Sequence, residues 1–399
     1  MTPLVLAAAL AAPAAPAAPP EFTLTGAGDE SPSGALTAVS LKVGAQVKTP
    51  GGLKTVTGLV GLRRPGAELP PLPTGPQLIT AGGDRVPGSL RGGDSKSVLF
   101  RPEVARDEWS LPLDAVAAVW LAAPPADSPP DPARYAWLQG SPPRDVLRFR
   151  NGDTLRGTLS GFTAGGVKFK PDGAELREVE LKDLSAVGFN PRFARARKPQ
   201  GPYARLVLDD GTRLAVNEVA AKETSLVAKA LCGPGVEVPL ARLVALDVLQ
   251  GPATYLSDLK PKKAEVAGFL GEGWPWAADR TVRGNPLRLS GKEEVNTFDR
   301  GLGTHPRTVL TYDLAGKYAR FESFVGLDAA TGTRGRAEVR IKLDGKEVDL
   351  PELKSLRAGP AVFVRLDVRG AKELTLVVDY GPTGDVQADV NWGNARLVE

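Results

Sequence analysis

The chain of 399 residues contains a single histidine, His305, and a single cysteine, Cys232, so few kinds of side-chain chemistry are open to it. Nucleophilic catalysis through a histidine would have to use His305, which lies in a Gly-Thr-His-Pro segment with no nucleophile motif beside it. Zinc sites built from several histidines or cysteines are excluded for the same reason. A pair of carboxylates is available among the 46 acidic residues, so the sequence leaves open a glycosidase that uses two carboxylates.

The scaffold that most enzymes of that kind need is not indicated. No part of the sequence alternates strands with helices as a barrel enzyme does, and no glycine-rich phosphate loop opens a helix. Small β-sandwiches with short loops seldom form a deep catalytic cleft. We therefore expect a protein with no catalysis of its own.

Side chains suited to sugar binding are concentrated near the C-terminus. A sugar needs an apolar face for its C–H groups and a few fixed polar groups for its hydroxyls. Trp392 could supply the aromatic face, and His305, Asn391 and Asn394 could supply the polar groups. Two plainer alternatives stay open, namely that Trp392 belongs to the core and that His305 only hydrogen-bonds backbone.

The elements that position these residues are predicted to be β-strands. Apolar and charged residues alternate over 337–343, 362–368 and 374–378, as in strands with one buried and one wet face. Asp344-Gly345 follows the first of them and predicts a tight hairpin. Such strands imply a two-sheet sandwich, within which Trp274 and Trp276 also fall.

Four motifs in this region occur in the order found in one known family. They are Tyr255-Leu256-Ser257-Asp258-Leu259-Lys260-Pro261, Gly301-Leu302-Gly303-Thr304-His305-Pro306, Phe321–Asp328 and Gly384–Leu397. On these motifs, residues 255–399 resemble the NPCBM module that is attached to some glycoside hydrolases. The resemblance implies a jelly-roll β-sandwich of the galactose-binding type that binds carbohydrate.

Two expectations come from the resemblance alone. Domains of this type often hold a structural Ca²⁺ between loops, for which Asp328 and nearby carbonyl groups would supply oxygen ligands. The closing motif of the family commonly continues with Asp-His, whereas Ala388-Asp389 stand here. If the missing pair contacts the sugar in relatives, this chain binds weakly, binds something else, or uses the module as an interaction surface.

Short turns recur before this module, at Gly28-Asp29, Gly83-Asp84, Gly152-Asp153 and Asp210-Gly211. Glycine beside an acidic residue supplies the positive φ of a tight hairpin. An apolar run closes each segment, and a unit of about 45 residues suits a small SH3-like or split β-barrel. Unrelated hairpins with common turn chemistry are the alternative.

Small units bury little surface alone, so neighbouring units should pair. We expect repeats 1 and 2 to pair within residues 21–123 and repeats 3 and 4 within residues 144–252. The Pro-rich stretch Ala122–Pro143 reads as a spacer between the pairs. With 36 prolines and 45 glycines, the predicted fold class is all-β: several small units followed by the sandwich at 255–399.

The N-terminus indicates export. Residues 1–20 are expected to be a signal peptide, because the apolar core Leu4–Ala12 precedes small residues suited to cleavage. No later stretch is apolar enough for a transmembrane segment. The 50 basic and 46 acidic residues are dispersed, so no nucleic-acid partner is indicated. The expected location is periplasmic or extracellular.

Taken together, these features predict an exported, non-catalytic protein whose partner is a glycan or polysaccharide bound by the C-terminal module. One alternative is a structural or protein-interaction protein whose N-terminal β repeats bind the partner. Another is an accessory subunit of a glycoside hydrolase. An exposed aromatic platform on the C-terminal module would favour the first function, and a buried Trp392 without a polar site would favour the second.

Overall fold

A computed structural model describes residues 19–28, 30–125, 128, 132–196, 199–268, 273–292 and 294–399. Within these ranges every helix is a three-residue 3-10 turn, and all other regular structure is β-strand. The all-β prediction is therefore confirmed. Nearly all of the expected signal peptide, residues 1–18, lies outside the described residues.

Four successive units of five strands precede the C-terminal domain. The first contains β1 (Glu21–Gly26), β2 (Ser33–Ser40), β3 (Gly44–Thr49), β4 (Gly52–Val56) and β5 (Leu59–Arg63). The second contains β6 (Gln77–Thr80), β7 (Arg85–Gly93), β8 (Ser97–Pro102), β9 (Trp109–Pro112) and β10 (Val116–Trp120). The third contains β11 (Asp145–Phe149), β12 (Thr154–Phe162), β13 (Gly166–Pro171), β14 (Arg177–Glu180) and β15 (Leu184–Gly188). The fourth contains β16 (Tyr203–Leu208), β17 (Arg213–Lys222), β18 (Ser225–Ala230), β19 (Gly235–Pro239) and β20 (Leu243–Leu249).

The four units share one strand order. In each, the first four strands form an antiparallel meander, and the fifth returns to pair with the first. Three of the four predicted turn glycines, Gly83, Gly152 and Gly211, have positive φ between the first two strands, and Gly28 does not. In the last three units a 3-10 turn precedes the fifth strand, at Leu113–Ala115, Leu181–Asp183 and Leu240–Arg242. The SH3-like character of the units stays a prediction.

The units join differently from the expected pairing of neighbours 1 with 2 and 3 with 4. Strand β5 of the first unit pairs with β20 of the fourth, and β10 of the second pairs with β15 of the third. A further bridge connects β7 to β17. The fifth strands can pair in this way because they are buried along their whole length, as in β10 and β15.

The stretch Ala122–Pro143 is not a plain spacer where it is described. It contains the 3-10 turn Pro132–Arg134, after which Tyr135 and Leu138 are buried against the second and third units. The ring of Tyr135 lies edge-on to Trp120, with 6.1 Å between ring centroids. Aromatic burial therefore ties this segment to the seam between β10 and β15.

The C-terminal domain contains fourteen further strands. They are β21 (Ala253–Tyr255), β22 (Lys263–Val266), β23 (Ala277–Ala278), β24 (Leu287–Ser290), β25 (Val295–Phe298), β26 (Gly301–Thr304), β27 (Thr308–Asp313), β28 (Arg320–Leu327), β29 (Arg336–Leu343), β30 (Lys346–Glu347), β31 (Leu356–Arg357), β32 (Val362–Asp367), β33 (Glu373–Tyr380) and β34 (Val390–Val398). Two more 3-10 turns lie at Leu256–Asp258 and Pro351–Leu353.

These strands form the predicted sandwich. One sheet has the order β23-β26-β34-β28-β32, with β21 also paired to β34, and the other has the order β22-β27-β33-β29-β30, with β31 beside β29. Strands β24 and β25 form a separate hairpin. The alternating apolar side chains of β29, Ala337, Val339 and Ile341, enter the core as expected. Asp344 and Gly345 both have positive φ in the two-residue hairpin after it, which confirms that turn.

The sandwich packs directly on the first and fourth units. Only three residues separate β20 from β21, and Val60, Ala253 and Val398 form a small apolar cluster at the junction. Arg320 of β28 donates hydrogen bonds to the carbonyl groups of Gly26, Ala27 and Gly28 after β1. These contacts connect the two regions through buried polar and apolar groups.

An ion pair also joins the sandwich to the fourth unit. Arg213 donates to both carboxylate oxygens of Asp299, at 2.5 Å from Nε and 3.2 Å from Nη2. Burial raises the pKa of Asp299, but the charge and hydrogen bonds of Arg213 outweigh burial and hold that pKa below its ordinary value. Asp299 is therefore charged in the folded protein, as the bidentate geometry requires.

In the described part of the chain, no helix has the length and apolar character needed to cross a membrane.

Candidate functional site

One end of the first sandwich sheet brings together polar residues that are far apart in sequence. The central strand β34 begins at Val390, which lies opposite Thr304 of β26 and Leu327 of β28. Because β34 runs antiparallel to both neighbours, the residue before it meets the residues that follow them. Asp389, His305 and Asp328 therefore share this end of the sheet.

Asp389 is the centre of this cluster. Its side chain is 2% exposed, and its Oδ2 accepts a hydrogen bond from Nε of Arg283 at 3.0 Å. Its Oδ1 lies 3.8 Å from Nε2 of His305. A buried carboxylate that contacts two nitrogen-bearing side chains fixes their orientation.

An exposed aromatic ring lies over the cluster. Trp274 is 46% exposed, and Cζ of Arg283 lies 5.2 Å from its ring centroid. The ring centroids of Trp274 and His305 are 6.4 Å apart. Asp389 contacts both Arg283 and His305, so the two side chains beside the indole share one buried partner. Part of the Trp274 ring remains exposed, as an aromatic platform requires.

Trp392 does not contribute to that platform. Its ring has 0% exposure, lies in the sandwich core, and its Nε1 donates a hydrogen bond to Oγ1 of Thr304 at 3.1 Å. The reason is the pleat of β34, which directs Trp392 inward toward the opposite sheet. The interpretation of Trp392 as the sugar-stacking residue is replaced by the core alternative.

His305 is almost fully buried. The segment before it, Gly301–Thr304, is strand β26, and its glycines allow close approach of neighbouring backbone. A Cβ on Gly303 would lie 2.4 Å from the carbonyl oxygen of Arg280. His305 is 6% exposed, and its Nδ1 lies 3.3 Å from the carbonyl oxygen of Pro306. It lies beneath Trp274, as a support for the exposed groups.

The two asparagines occupy different places. Asn391 is buried, and its Nδ2 donates to the carbonyl oxygen of Arg288 at 3.1 Å. This bond ties the hairpin β24–β25 to the end of the sheet beside Asp389. Asn394 is five residues from Asp389 along β34, about 16 Å in an extended strand. The structure does not bring Asn394 to the cluster.

Asp328, which the sequence analysis expected to hold Ca²⁺ together with nearby carbonyl groups, makes hydrogen bonds within its own turn. Its Oδ1 accepts from the backbone N–H of Ala330, and its carbonyl oxygen accepts from both the N–H and the hydroxyl of Thr331. Among the described residues, no three carboxylate, histidine or cysteine side chains are gathered as a metal site. Ca²⁺ takes six to eight oxygen ligands, and backbone carbonyl groups can be among them, so the calcium expectation stays a prediction.

A chelator tests the calcium expectation directly. If Asp328 and nearby carbonyl groups hold Ca²⁺, replacing millimolar calcium with EGTA should lower the melting temperature of the protein by several degrees, because a bound ion is lost. An unchanged melting temperature would remove the ion from the account. Differential scanning calorimetry measures this. A fall of several degrees that calcium restores and magnesium does not would establish a calcium site.

Burial makes the carboxyl group of Asp328 harder to ionise. The pKa of Asp328 is raised, chiefly by burial and further by the nearby Asp389, despite the N–H of Ala330. Asp389 by contrast has the guanidinium of Arg283 at hydrogen-bond distance. The cluster thus has an ion pair between exposed Arg283 and buried Asp389, beside a carboxyl, that of Asp328, which is harder to ionise.

Sequence reasoning missed Arg283 and did not select Trp274. The available signal for Trp274 was its Gly-Trp-Pro-Trp setting, in which two indoles lie outside any alternating strand pattern. Trp276 of this pair is partly buried and packs on the sandwich core. No sequence pattern marked Arg283, because its partner Asp389 lies 106 residues away.

The comparison with known families concerns the C-terminal third of the chain. Residues 253–398 match the family model described as NPCBM/NEW2 domain. The C-terminal third is an NPCBM domain. Its boundary lies two residues before the expected position 255, because β21 (Ala253–Tyr255) pairs with the last strand.

Three individual proteins show how far the similarity extends. A solved CBM51 module from Clostridium perfringens GH95, in complex with methyl-galactose, is 27% identical, covers 37% of this chain and 99% of its own, and has a TM-score of 0.34. A CBM51-2 and INT domain structure from C. perfringens ZmpB, with GlcNAc, is 26% identical over 44% of this chain and 36% of its own, with a TM-score of 0.32. A Renibacterium salmoninarum protein named "Putative endo-alpha-N-acetylgalactosaminidase" is 27% identical over 153 residues, 36% of this chain. The chain spans 9% of the length of that curated relative.

Proposed function

We propose that the NPCBM domain binds the terminal sugar of a glycan on the surface formed by Trp274 and Arg283. The observation that carries the proposal is the exposed indole of Trp274 beside a guanidinium that buried Asp389 orients. The family match supports the same reading, since NPCBM is a carbohydrate-binding family. Export from the cytoplasm is part of the proposal, because extracellular glycans are the usual ligands of such domains.

The two exposed groups suit the two parts of a sugar. The free face of Trp274 can stack on the C–H face of a pyranose ring, and the outer nitrogens of Arg283 can donate to its oxygens. Stacking and two or three hydrogen bonds, less the cost of ordering the ligand, correspond to about 4–6 kcal/mol. The expected dissociation constant is therefore roughly millimolar to tens of micromolar.

We propose that the domain has no catalytic activity. A glycosidase needs two carboxyl groups that flank the bond to be cleaved and contact the substrate. The two acids nearest to this surface, Asp328 and Asp389, are 1% and 2% exposed. Asp389 is also paired with Arg283. The hydrolase name of the relative applies to a protein of which this chain matches 9%, so the activity is not transferred.

A glycan array probed with the full chain tests the proposal. We expect binding to a subset of immobilised glycans, with competition by the corresponding free monosaccharide at millimolar concentration. The same array probed with Trp274→Ala protein should lose this signal. Wild-type protein that binds no glycan, or a Trp274→Ala variant that binds the same glycans equally well, would contradict the proposal.

A smaller effect is expected at His305, because it supports the surface from below. Replacement of His305 with alanine should weaken sugar binding about twofold to tenfold, the range for one lost hydrogen bond or support contact. Isothermal titration calorimetry of wild type, His305→Ala and His305→Gln measures this. A complete loss of binding in His305→Ala protein with unchanged stability would place His305 in direct contact with the sugar.

A further inference from the structure

We infer that the sugar bound at this surface carries an oxyanion, a carboxylate or a sulfate group, held by the outer edge of Arg283. The inference rests on the proposed function and specifies its ligand class. It depends on how Arg283 is held, on which groups face outward, and on where the neighbouring charges lie.

Arg283 is fixed on two sides while its terminal nitrogens remain available. Its Nε donates to Oδ2 of Asp389 at 3.0 Å, and its guanidinium lies over the ring of Trp274 at 5.2 Å. Of the residues that the structure describes, only Asp389 accepts a hydrogen bond from this guanidinium. The side chain is 49% exposed, so Nη1 and Nη2 form the part that meets solvent. A guanidinium group that is already held in place loses little conformational entropy when it donates to two oxygens.

The donors and acceptors at this surface are segregated. The outward nitrogens of Arg283 only donate, and the acceptor oxygens of Asp389 and Asp328 are buried beneath. Neutral sugar hydroxyls both donate and accept, so a surface built for them would expose acceptors as well. A carboxylate or sulfate group only accepts, and its paired oxygens match the spacing of the guanidinium fork.

The neighbouring charges favour an anion in the same way. Arg288 is exposed and lies beside this end of the sheet, where its carbonyl oxygen accepts from Asn391 and the next residue, Leu289, bridges to Asp328. The outer layer therefore contains the guanidinium groups of Arg283 and Arg288. The carboxyl groups of Asp328 and Asp389 lie in the inner layer, and burial opposes ionisation of Asp328. An incoming oxyanion meets positive charge first.

Matched sugar pairs test the inference with the full chain. Methyl glucuronide is compared with methyl glucoside, and galactose 6-sulfate with galactose, by isothermal titration calorimetry at low salt. We expect the anionic member of at least one pair to bind tenfold or more tightly than its neutral partner, because charge-assisted hydrogen bonds are about twice as strong. The preference should shrink as salt is raised, since the groups are exposed.

Three variants locate the effect. Arg283→Gln should remove the preference for the anionic sugar, and Arg283→Lys should retain part of it, because lysine keeps the charge without the two-point geometry. Arg369→Gln, an exposed arginine beside Asp367 elsewhere on the same domain, should bind like the wild type. Equal melting temperatures show that the variants are folded.

The possible failures are distinct. Equal affinity for both members of each pair, with binding still dependent on Trp274, would overturn the oxyanion inference and leave glycan binding in place. A preference for the anionic sugar that persists in Arg283→Gln protein would also overturn the inference, because a residue other than Arg283 would then bind the anionic group. Absence of binding to either member of every pair, and to every glycan of the array, would overturn the proposed function itself.

Discussion

Replacement of Trp392 with alanine is expected to lower the free energy of unfolding by about 3–5 kcal/mol. The indole has no exposed surface and lies among the core residues of the sandwich. Its loss opens a cavity and also removes the indole N–H that donates to Oγ1 of Thr304. Urea denaturation followed by near-ultraviolet circular dichroism measures the change.

Trp392→Phe is the matched control, since it keeps an aromatic ring but not the indole N–H. Its cost should be smaller, about 1–2 kcal/mol, because only part of the volume and one hydrogen bond are lost. A Trp392→Ala protein that is as stable as the wild type but fails to bind glycan would show that the ring acts at the surface.

Removal of Glu322 is expected to destabilise the protein by about 3–5 kcal/mol, because two arginines would lose their buried counter-ion. Glu322 accepts from Nε of Arg320 at 2.5 Å and from Nε and Nη2 of Arg396 at 3.0 and 2.9 Å. Arg320 in turn binds the carbonyl groups that follow β1. Glu322→Gln should therefore weaken both the sandwich and its attachment to the first unit.

The same residue predicts a direction for the pH dependence of stability. Burial raises the pKa of Glu322, but Arg396 first and Arg320 second outweigh burial and hold it below the ordinary value. The contribution of Glu322 is thus full above the ordinary glutamate pKa and is lost as pH falls through the lower folded value. Asp367→Asn, in an exposed pair with Arg369, is the control and should change stability by less than about 0.5 kcal/mol. Similar stabilities of Glu322→Gln and Asp367→Asn proteins would contradict the account of this network.

The sandwich could be predicted because its strands alternate. In β29 and β33 every second residue is apolar and enters the core, as the period of two in the sequence indicated. The Asp344-Gly345 hairpin could be predicted equally well, since both residues tolerate positive φ. Local sequence carries this information because strand faces and tight turns depend on neighbouring residues only.

The binding surface could not be predicted in the same way. Trp392 and His305 stand out in the sequence, yet both are buried. The pleat of β34 directs Trp392 into the core, and His305 lies beside the ring of Trp274. The ion pair of Arg283 with Asp389 spans more than a hundred residues and depends on how the strand ends meet. Exposure of a tryptophan is a property of tertiary packing, which the sequence around Trp274 does not encode.

The arrangement of the N-terminal units could not be predicted from the sequence for a related reason. Glycine turns such as Gly152 and Gly211 marked the hairpins, but the partner of each fifth strand did not follow from them. Strands β10 and β15 are buried at every residue. Their sequence pattern therefore indicates burial but does not indicate which strand each one pairs with. Chain order favoured adjacent units, whereas backbone pairing joins the first to the fourth.

The most direct test of the proposed glycan site compares Trp274→Ala with Phe363→Ala. Phe363 is an exposed aromatic residue on strand β32 of the same domain, outside the Arg283–Asp389 cluster, so both variants remove a solvent-facing ring. The affinity of the full chain for the best glycan from the array is measured by isothermal titration calorimetry. We predict at least a tenfold loss for Trp274→Ala, because a stacking face worth about 1.5–3 kcal/mol is removed, and no change for Phe363→Ala. Unchanged affinity in Trp274→Ala protein, or an equal loss in Phe363→Ala protein, would contradict the assignment of the site.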